Sequence, residues 1–192
     1  MNRLRRHGGW QYDPGCPCDE DFVDWCETQD VRSQVIFHLG CGMHHKVGRA
    51  LATPARSNQV LSLTANREEL DSYADAVLGD PALAARYRVL FGDLFDLEPR
   101  VLPRFDAATL FHLCEAQDDE RPDLIPAVRS VIQMFLDRLT PSGLLFFYAG
   151  STGAARTAVV LRSLEAVGRI APAGEHKSLR LYRAAARPEP RT

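Results

Sequence analysis

The side chains best suited to proton transfer, nucleophilic attack or metal ligation are unevenly spread along this chain of 192 residues. His38, Cys41, His44 and His45 crowd around the turn Gly40-Cys41-Gly42, and His112 is followed three residues later by Glu115. Imidazole titrates near neutral pH, so His112 is a candidate general base for a hydroxyl or amine, with Glu115 orienting it. Tyr148 is a second candidate catalytic group. Cys16-Pro17-Cys18 with Cys26 would form a zinc corner only with a fourth ligand that the spacing does not supply. The histidines lack a His-x-x-x-His pattern, so no metal-ligand set is named. A hydrogen-bonded core His38 and an exposed His44 remain the structural alternative.

For these residues to meet, the elements carrying them must share one edge. Gln34 to Leu39 is a β-branched and aromatic run stopped by Gly40, which predicts a buried strand, and Gln59 to Leu63, Tyr87 to Phe91, Phe105 to Leu113 and Leu144 to Ala149 predict four more. Helices are expected from about His45 to before Pro54 and after an Asn66 N-cap, where Leu70, Tyr73, Ala74, Val77 and Leu78 follow the helical period. Two more are expected along the apolar stripe Leu124 to Leu139 and over Ala154 to Ala166. Two short strands, Arg169 to Ala171 and Ser178 to Tyr182, close the chain as an antiparallel pair. Alternating β and α units imply an α/β class: a three-layer sandwich around a mostly parallel seven-stranded sheet with an antiparallel C-terminal edge pair. Ligands of such sheets bind beyond the carboxyl ends of the strands, where His38, Gly40, Cys41, Gly42, His44, His45, Thr64, Asp93, His112 and Tyr148 fall.

Composition narrows the rest. Apolar residues are 45% and charged residues 25%, which excludes disordered and fibrous classes. No apolar run approaches the roughly 20 residues of a membrane-spanning helix. A formal charge of −2 gives no general pull toward nucleic acid. The odd number of cysteines and the lack of an apolar stretch after Arg3, Arg5 and Arg6 fit a cytoplasmic chain with free thiols. One domain is expected over 1–192: an arm and lid helix over 1–30, a core over 34–183 and a frayed tail from Arg187. The lid helix would begin at Asp19, and Trp10 and Tyr12 would line an acceptor pocket.

A dinucleotide-binding fingerprint fits poorly, because His45 replaces its third glycine and Thr64 its second-strand acid. Residues 34–183 instead resemble the class I S-adenosylmethionine-dependent methyltransferases, which are Rossmann-like. The resemblance rests on Val35 to Gly42, Phe91-Gly92-Asp93-Leu94, Arg104 to Glu115, and Leu139 to Phe146, the last like that family's Leu-x-Pro-Gly-Gly.

It implies S-adenosylmethionine as cofactor, with Gly40, Cys41 and Gly42 around its methionine part. His38, His44, Thr64 and His112 would stand at the same site, Asp93 and Leu94 would hold the adenine, and Asp106 would be structural. His38 and Thr64 replace that family's first- and second-strand acids, and Asn66 or Glu68 is the expected substitute for the second. His112-Leu113-Cys114-Glu115 lacks the Asp/Asn-Pro-Pro-Tyr of nucleobase amine methylation and the Pro-Cys of pyrimidine methylation, which leaves a small-molecule acceptor. Elimination or cyclisation with the same cofactor, a non-catalytic binding protein and a homodimer all stay open.

Overall fold

The structure is a computed structural model that describes residues 8–115 and 124–185. The tail from Arg187 and residues 1–7 lie outside it. In chain order the elements are α1 (Cys18–Thr28), β1 (Val35–Leu39), α2 (Lys46–Leu51), β2 (Gln59–Thr64), α3 (Arg67–Leu78), α4 (Pro81–Ala84), β3 (Tyr87–Phe91), β4 (Phe105–Thr109), α5 (Leu124–Arg138), β5 (Leu139–Tyr148), α6 (Ala154–Ala166), β6 (Ile170–His176) and β7 (Leu179–Ala184). Among the described residues the strands form one sheet in the order β3-β2-β1-β4-β5-β7-β6. β1 to β5 run parallel, and β7 pairs antiparallel with both β5 and β6.

Strand order reverses between β1 and β4, which opens the switch-point crevice at their carboxyl ends. Period-2 alternation then sorts the side chains. Phe37, Phe105, Leu145 and Phe147 face α5 and α6, whereas Ile36, Ala107, Phe146 and Tyr148 pack on the side of α1 and α2. Helices cover both faces, so the central strands carry apolar residues on both of their sides rather than on one.

Asp106 fastens the opposite end of the sheet. One carboxylate oxygen accepts from Val35 N–H at 2.9 Å and the other from the Thr140 hydroxyl at 2.9 Å, linking β1, β4 and β5. This is the structural role expected for it.

Four expectations need correction. β4 ends at Thr109 rather than Leu113, because after Leu110 N–H bonds to Phe146 O the chain turns, leaving His112 in that turn. β5 begins at Leu139 and runs through Pro141-Ser142-Gly143, absorbing the irregular residues as a shift in register against β4. The apolar stripe expected on α3 is not buried: Leu78 is 82% exposed, Ala74 is exposed, and Leu70, Tyr73 and Val77 are half-buried. Finally, α1 packs into the helical layer along most of its length, and its first turn reaches the strand ends. Phe22 is fully buried against Phe111 and Phe146, and Trp25 packs edge-on to Phe146. Its polar side is tied to the β6–β7 hairpin, where Ser178 donates to Asp21 and His176 meets Asp24 at 2.7 Å.

Hydrogen bonds to a charged group contribute about 1.5–3 kcal/mol each. Asp106→Ala should therefore lower the unfolding free energy by about 2–4 kcal/mol in a urea titration. A change below about 0.5 kcal/mol would remove the strand-fastening role.

Candidate functional site

At the end of β1 the chain turns through Gly40 (φ 78°) and Gly42 (φ 57°), conformations that side chains with a Cβ rarely adopt. A Cβ on Gly40 would meet nothing within 4 Å, so open space adjoins this turn. Beside it lies an acid that sequence reasoning placed one residue too early. The Thr64 hydroxyl donates to Glu69 Oε2 at 2.6 Å, and Glu69 is 2% exposed at the carboxyl end of β2. Asn66, one expected substitute, is instead the N-cap of α3, accepting from Glu68 N–H and Glu69 N–H. Glu68, the other, accepts from Gly9 N–H at 2.8 Å. The usable signal was Glu69 at the third residue of a capped helix, where a long acid turns back toward the cap.

The N-terminal arm crosses this rim. Trp10 N–H donates to Glu69 Oε1 at 3.1 Å, Met43 N–H donates to Trp10 O at 2.7 Å, and the Trp10 ring stacks on His112. Tyr12 meets His44 edge-on. The arm thus shares this rim with the first turn of α1.

Three of the four rim histidines converge, on Asp19 in the first turn of α1. His38 Nε2 is 3.7 Å from Asp19 Oδ1 and His44 Nε2 is 3.9 Å from Oδ2. His112 lies near the same carboxylate. Burial raises the Asp19 carboxyl to about 6, against the pull of His44 and His112. His38 is 1% exposed, its Nδ1 paired with the Thr109 hydroxyl at 2.8 Å and its Nε2 without a hydrogen bond. Burial lowers it to about 3, so it is neutral at physiological pH. His44 Nδ1 accepts from Lys46 N–H.

His45 does not join them. It turns under the sheet, with Nδ1 at 3.1 Å from the Tyr87 hydroxyl and Nε2 at 3.2 Å from Ser72, and burial lowers it to about 4.

His112 meets sulfur. Its Nε2 lies 3.4 Å from Cys18 Sγ and 3.7 Å from Cys16 Sγ, and the two sulfurs are 3.7 Å apart. Its Nδ1 is 2.8 Å from Glu115 Oε2, a short charge contact whose direction is poor for a hydrogen bond. Burial alone would raise Glu115, but His112, Ser151 and the Thr152 N–H together bring it below its ordinary value. Glu115 thus lies against Nδ1 and the two sulfurs against Nε2. Tyr148 is buried with its ring edge-on to His112, and burial pushes its hydroxyl up to about 12. Cys26, the expected third corner of a zinc site, is fully buried on the core face of α1. Asp93 is half-buried and accepts from Phe95 N–H at 2.9 Å, capping the turn that begins at Leu94.

No family model and no curated protein matches the sequence. Solved structures do match in shape. The CcbJ methyltransferase from Streptomyces caelestis aligns with a TM-score of 0.65 at 14% identity, over 92% of this chain and 94% of that one. The chain has the class I methyltransferase fold. An S-adenosylmethionine-dependent methyltransferase from Clostridium acetobutylicum ATCC 824 aligns at 0.52 and 14% identity over 71% of this chain, which spans half the length of that protein. The cyclase SpnF shares the methyltransferase fold with this chain at 0.57 and 21% identity, over 88% of this chain and 64% of its own.

The two buried histidines set a pH dependence for the fold. Their folded values lie below the unfolded value near 6.5, so between about 6.5 and 4 the unfolded chain takes up protons that the folded chain refuses. Asp19 acts in the opposite sense between about 4 and 6, but it is one group against two. The urea midpoint should therefore fall on going from pH 7 to pH 5. An unchanged or higher midpoint at pH 5 would contradict the buried neutral histidines.

Proposed function

We propose that the chain is an S-adenosylmethionine-dependent methyltransferase acting on a small-molecule acceptor. One observation carries this beyond the fold. The family resemblance expects an acid at the end of the second strand, and here a buried carboxylate is delivered to that place by α3, held on the hydroxyl of the strand's own last residue. A neutral threonine alone would leave a deficit of roughly 1–3 kcal/mol relative to a carboxylate accepting two hydroxyls. Glu69 makes that up.

The residues present fit the cofactor. Gly40 borders open space, Gly42 holds the turn in its left-handed form, and Glu69 offers an anionic acceptor beside it. S-adenosylmethionine supplies an electrophilic methyl on a sulfonium. Gly40, Cys41 and Gly42 would lie along its methionine part, Glu69 would take the ribose hydroxyls in place of Thr64, and Asp93 with Leu94 would hold the adenine. His38 and Asp19 add polarity at the rim, and His44 closes it on the side of α2. Rate would come mainly from positioning the acceptor in line with the methyl. The aromatic arm of Trp10 and Tyr12, exposed by 67% and 49%, suits an organic acceptor of modest size. Five unpaired cysteines suit a cytoplasmic setting.

The arm and the nucleoside want the same acceptor. Trp10 N–H occupies Glu69 Oε1, so cofactor binding requires this segment to yield. A chain lacking residues 1–11 should bind S-adenosylmethionine at least tenfold more tightly by calorimetry, and Glu69→Gln in the full chain at least tenfold more weakly. Unaltered affinity in both would remove Glu69 from the cofactor site, and no binding to either would leave a non-catalytic relative of the fold. The likeness to a cyclase favours a second reaction to be checked, in which the cofactor is cleaved or cyclised. S-adenosylhomocysteine as product supports methyl transfer, whereas methylthioadenosine overturns it.

A further inference from the structure

The cysteines and His112 have a geometry that neither the fold nor the proposed reaction requires. A tetrahedral zinc ion with Zn–S near 2.3 Å and Zn–N near 2.0–2.1 Å sets its sulfurs about 3.8 Å apart and each sulfur about 3.5–3.6 Å from the nitrogen. The corresponding separations here are 3.7 Å, and 3.4 and 3.7 Å. All three donor atoms lie within 4.8 Å of one another.

We propose that Cys16 Sγ, Cys18 Sγ and His112 Nε2 form a mononuclear zinc site whose fourth position is left to an exogenous ligand.

Three further features point the same way. The Nδ1 of His112 lies 2.8 Å from Glu115 Oε2, and the opposite ring nitrogen, Nε2, is the one nearest the two sulfurs. A carboxylate behind a histidine is the usual outer partner of a zinc ligand, fixing its tautomer and raising its basicity. The Glu115 carboxylate is itself held by the Thr152 N–H at 2.8 Å, so the ring is braced from β5's far end.

The loop is also preorganised. Cys16 N–H bonds to Asp13 O, Asp13 Oδ1 accepts from Gly15 N–H, and Pro17 stands at the N-cap of α1 with its φ fixed by the ring. Holding both sulfurs on one short rigid segment reduces the ordering cost of metal binding.

Two sulfurs and one imidazole select a borderline-soft ion of the zinc class over magnesium or calcium, which take oxygen ligands. Among the described residues Asp19 Oδ1 lies 3.8 Å from Cys18 Sγ, but it faces His38 and His44 and lies outside the mutually close set. Three protein ligands with a free fourth position are the arrangement of catalytic rather than structural zinc. The proposal does not depend on methyl transfer.

The test uses the full chain, stripped with a chelator under reducing conditions and titrated with Zn2+ and separately with Co2+. One equivalent should bind, and the cobalt form should show a sulfur-to-metal charge-transfer band with tetrahedral ligand-field bands. Cys16→Ser, Cys18→Ser and His112→Ala should each weaken zinc binding at least 100-fold, whereas Cys26→Ser, whose thiol lies in the core, should keep it. Glu115→Gln should weaken it by about 10–100-fold without changing the stoichiometry. Where a substitution unfolds the chain by circular dichroism, the unsubstituted protein decides: zinc should shield Cys16 and Cys18 from iodoacetamide in peptide mapping. A folded chain that takes up no zinc, retains it in the three ligand variants, or leaves both thiols equally reactive with and without zinc would overturn the site. Calorimetry with S-adenosylmethionine on the stripped chain separates the two ideas, since cofactor binding should survive loss of the metal.

Discussion

The burial of α1 against the ends of β4 and β5 is the constraint on which the rest depends. Phe22 is fully enclosed between Phe111 and Phe146, and removing so large a buried ring typically costs about 3–5 kcal/mol. Salt links and hydrogen bonds from Asp21 and Asp24 to the β6–β7 hairpin set the rotation of the helix on the sheet. With the helix fixed in this way, its first turn has one place to go. Cys18 and Asp19 arrive at the strand ends, beside a histidine nearly a hundred residues away in sequence.

A second constraint follows from the parallel sheet. Its carboxyl ends gather polar groups in a poorly hydrated crevice, and each must find a partner. Glu69 satisfies this with the Thr64 hydroxyl and Trp10 N–H, and His38 does so with Thr109 on one nitrogen only. The unsatisfied Nε2 of His38 and the raised Asp19 carboxyl mark where the fold keeps polar capacity in reserve. A core designed for stability alone would not leave them so placed.

The fold was largely legible because its signals are local. β1 announced itself by a β-branched and aromatic run stopped by Gly40, β3 by its end at Gly92, and α3 by Asn66, whose side chain does cap the helix. The errors share a cause. The β4 boundary, the start of β5 and the exposed Leu78 are set by which neighbour a residue meets, not by its own propensity. The site was legible as a list of residue types at one edge. Their partners were not, because hydrogen-bond direction and side-chain reach depend on the packing angle of helices that the sequence only names.

The sequence alone determined the α/β alternation, the antiparallel closing strands and the gathering of Gly40, Gly42, Thr64 and His112 at one rim, since periodicity and topology rules need no coordinates. Only the tertiary structure decided that Glu69 and not Glu68 faces the rim, that His45 leaves the site for Tyr87, and that Cys16 and Cys18 close on His112. Those outcomes turn on ångström-scale placement of α1 and α3 against the sheet. Such placement is fixed by close packing of side chains distant in sequence, which no local pattern encodes.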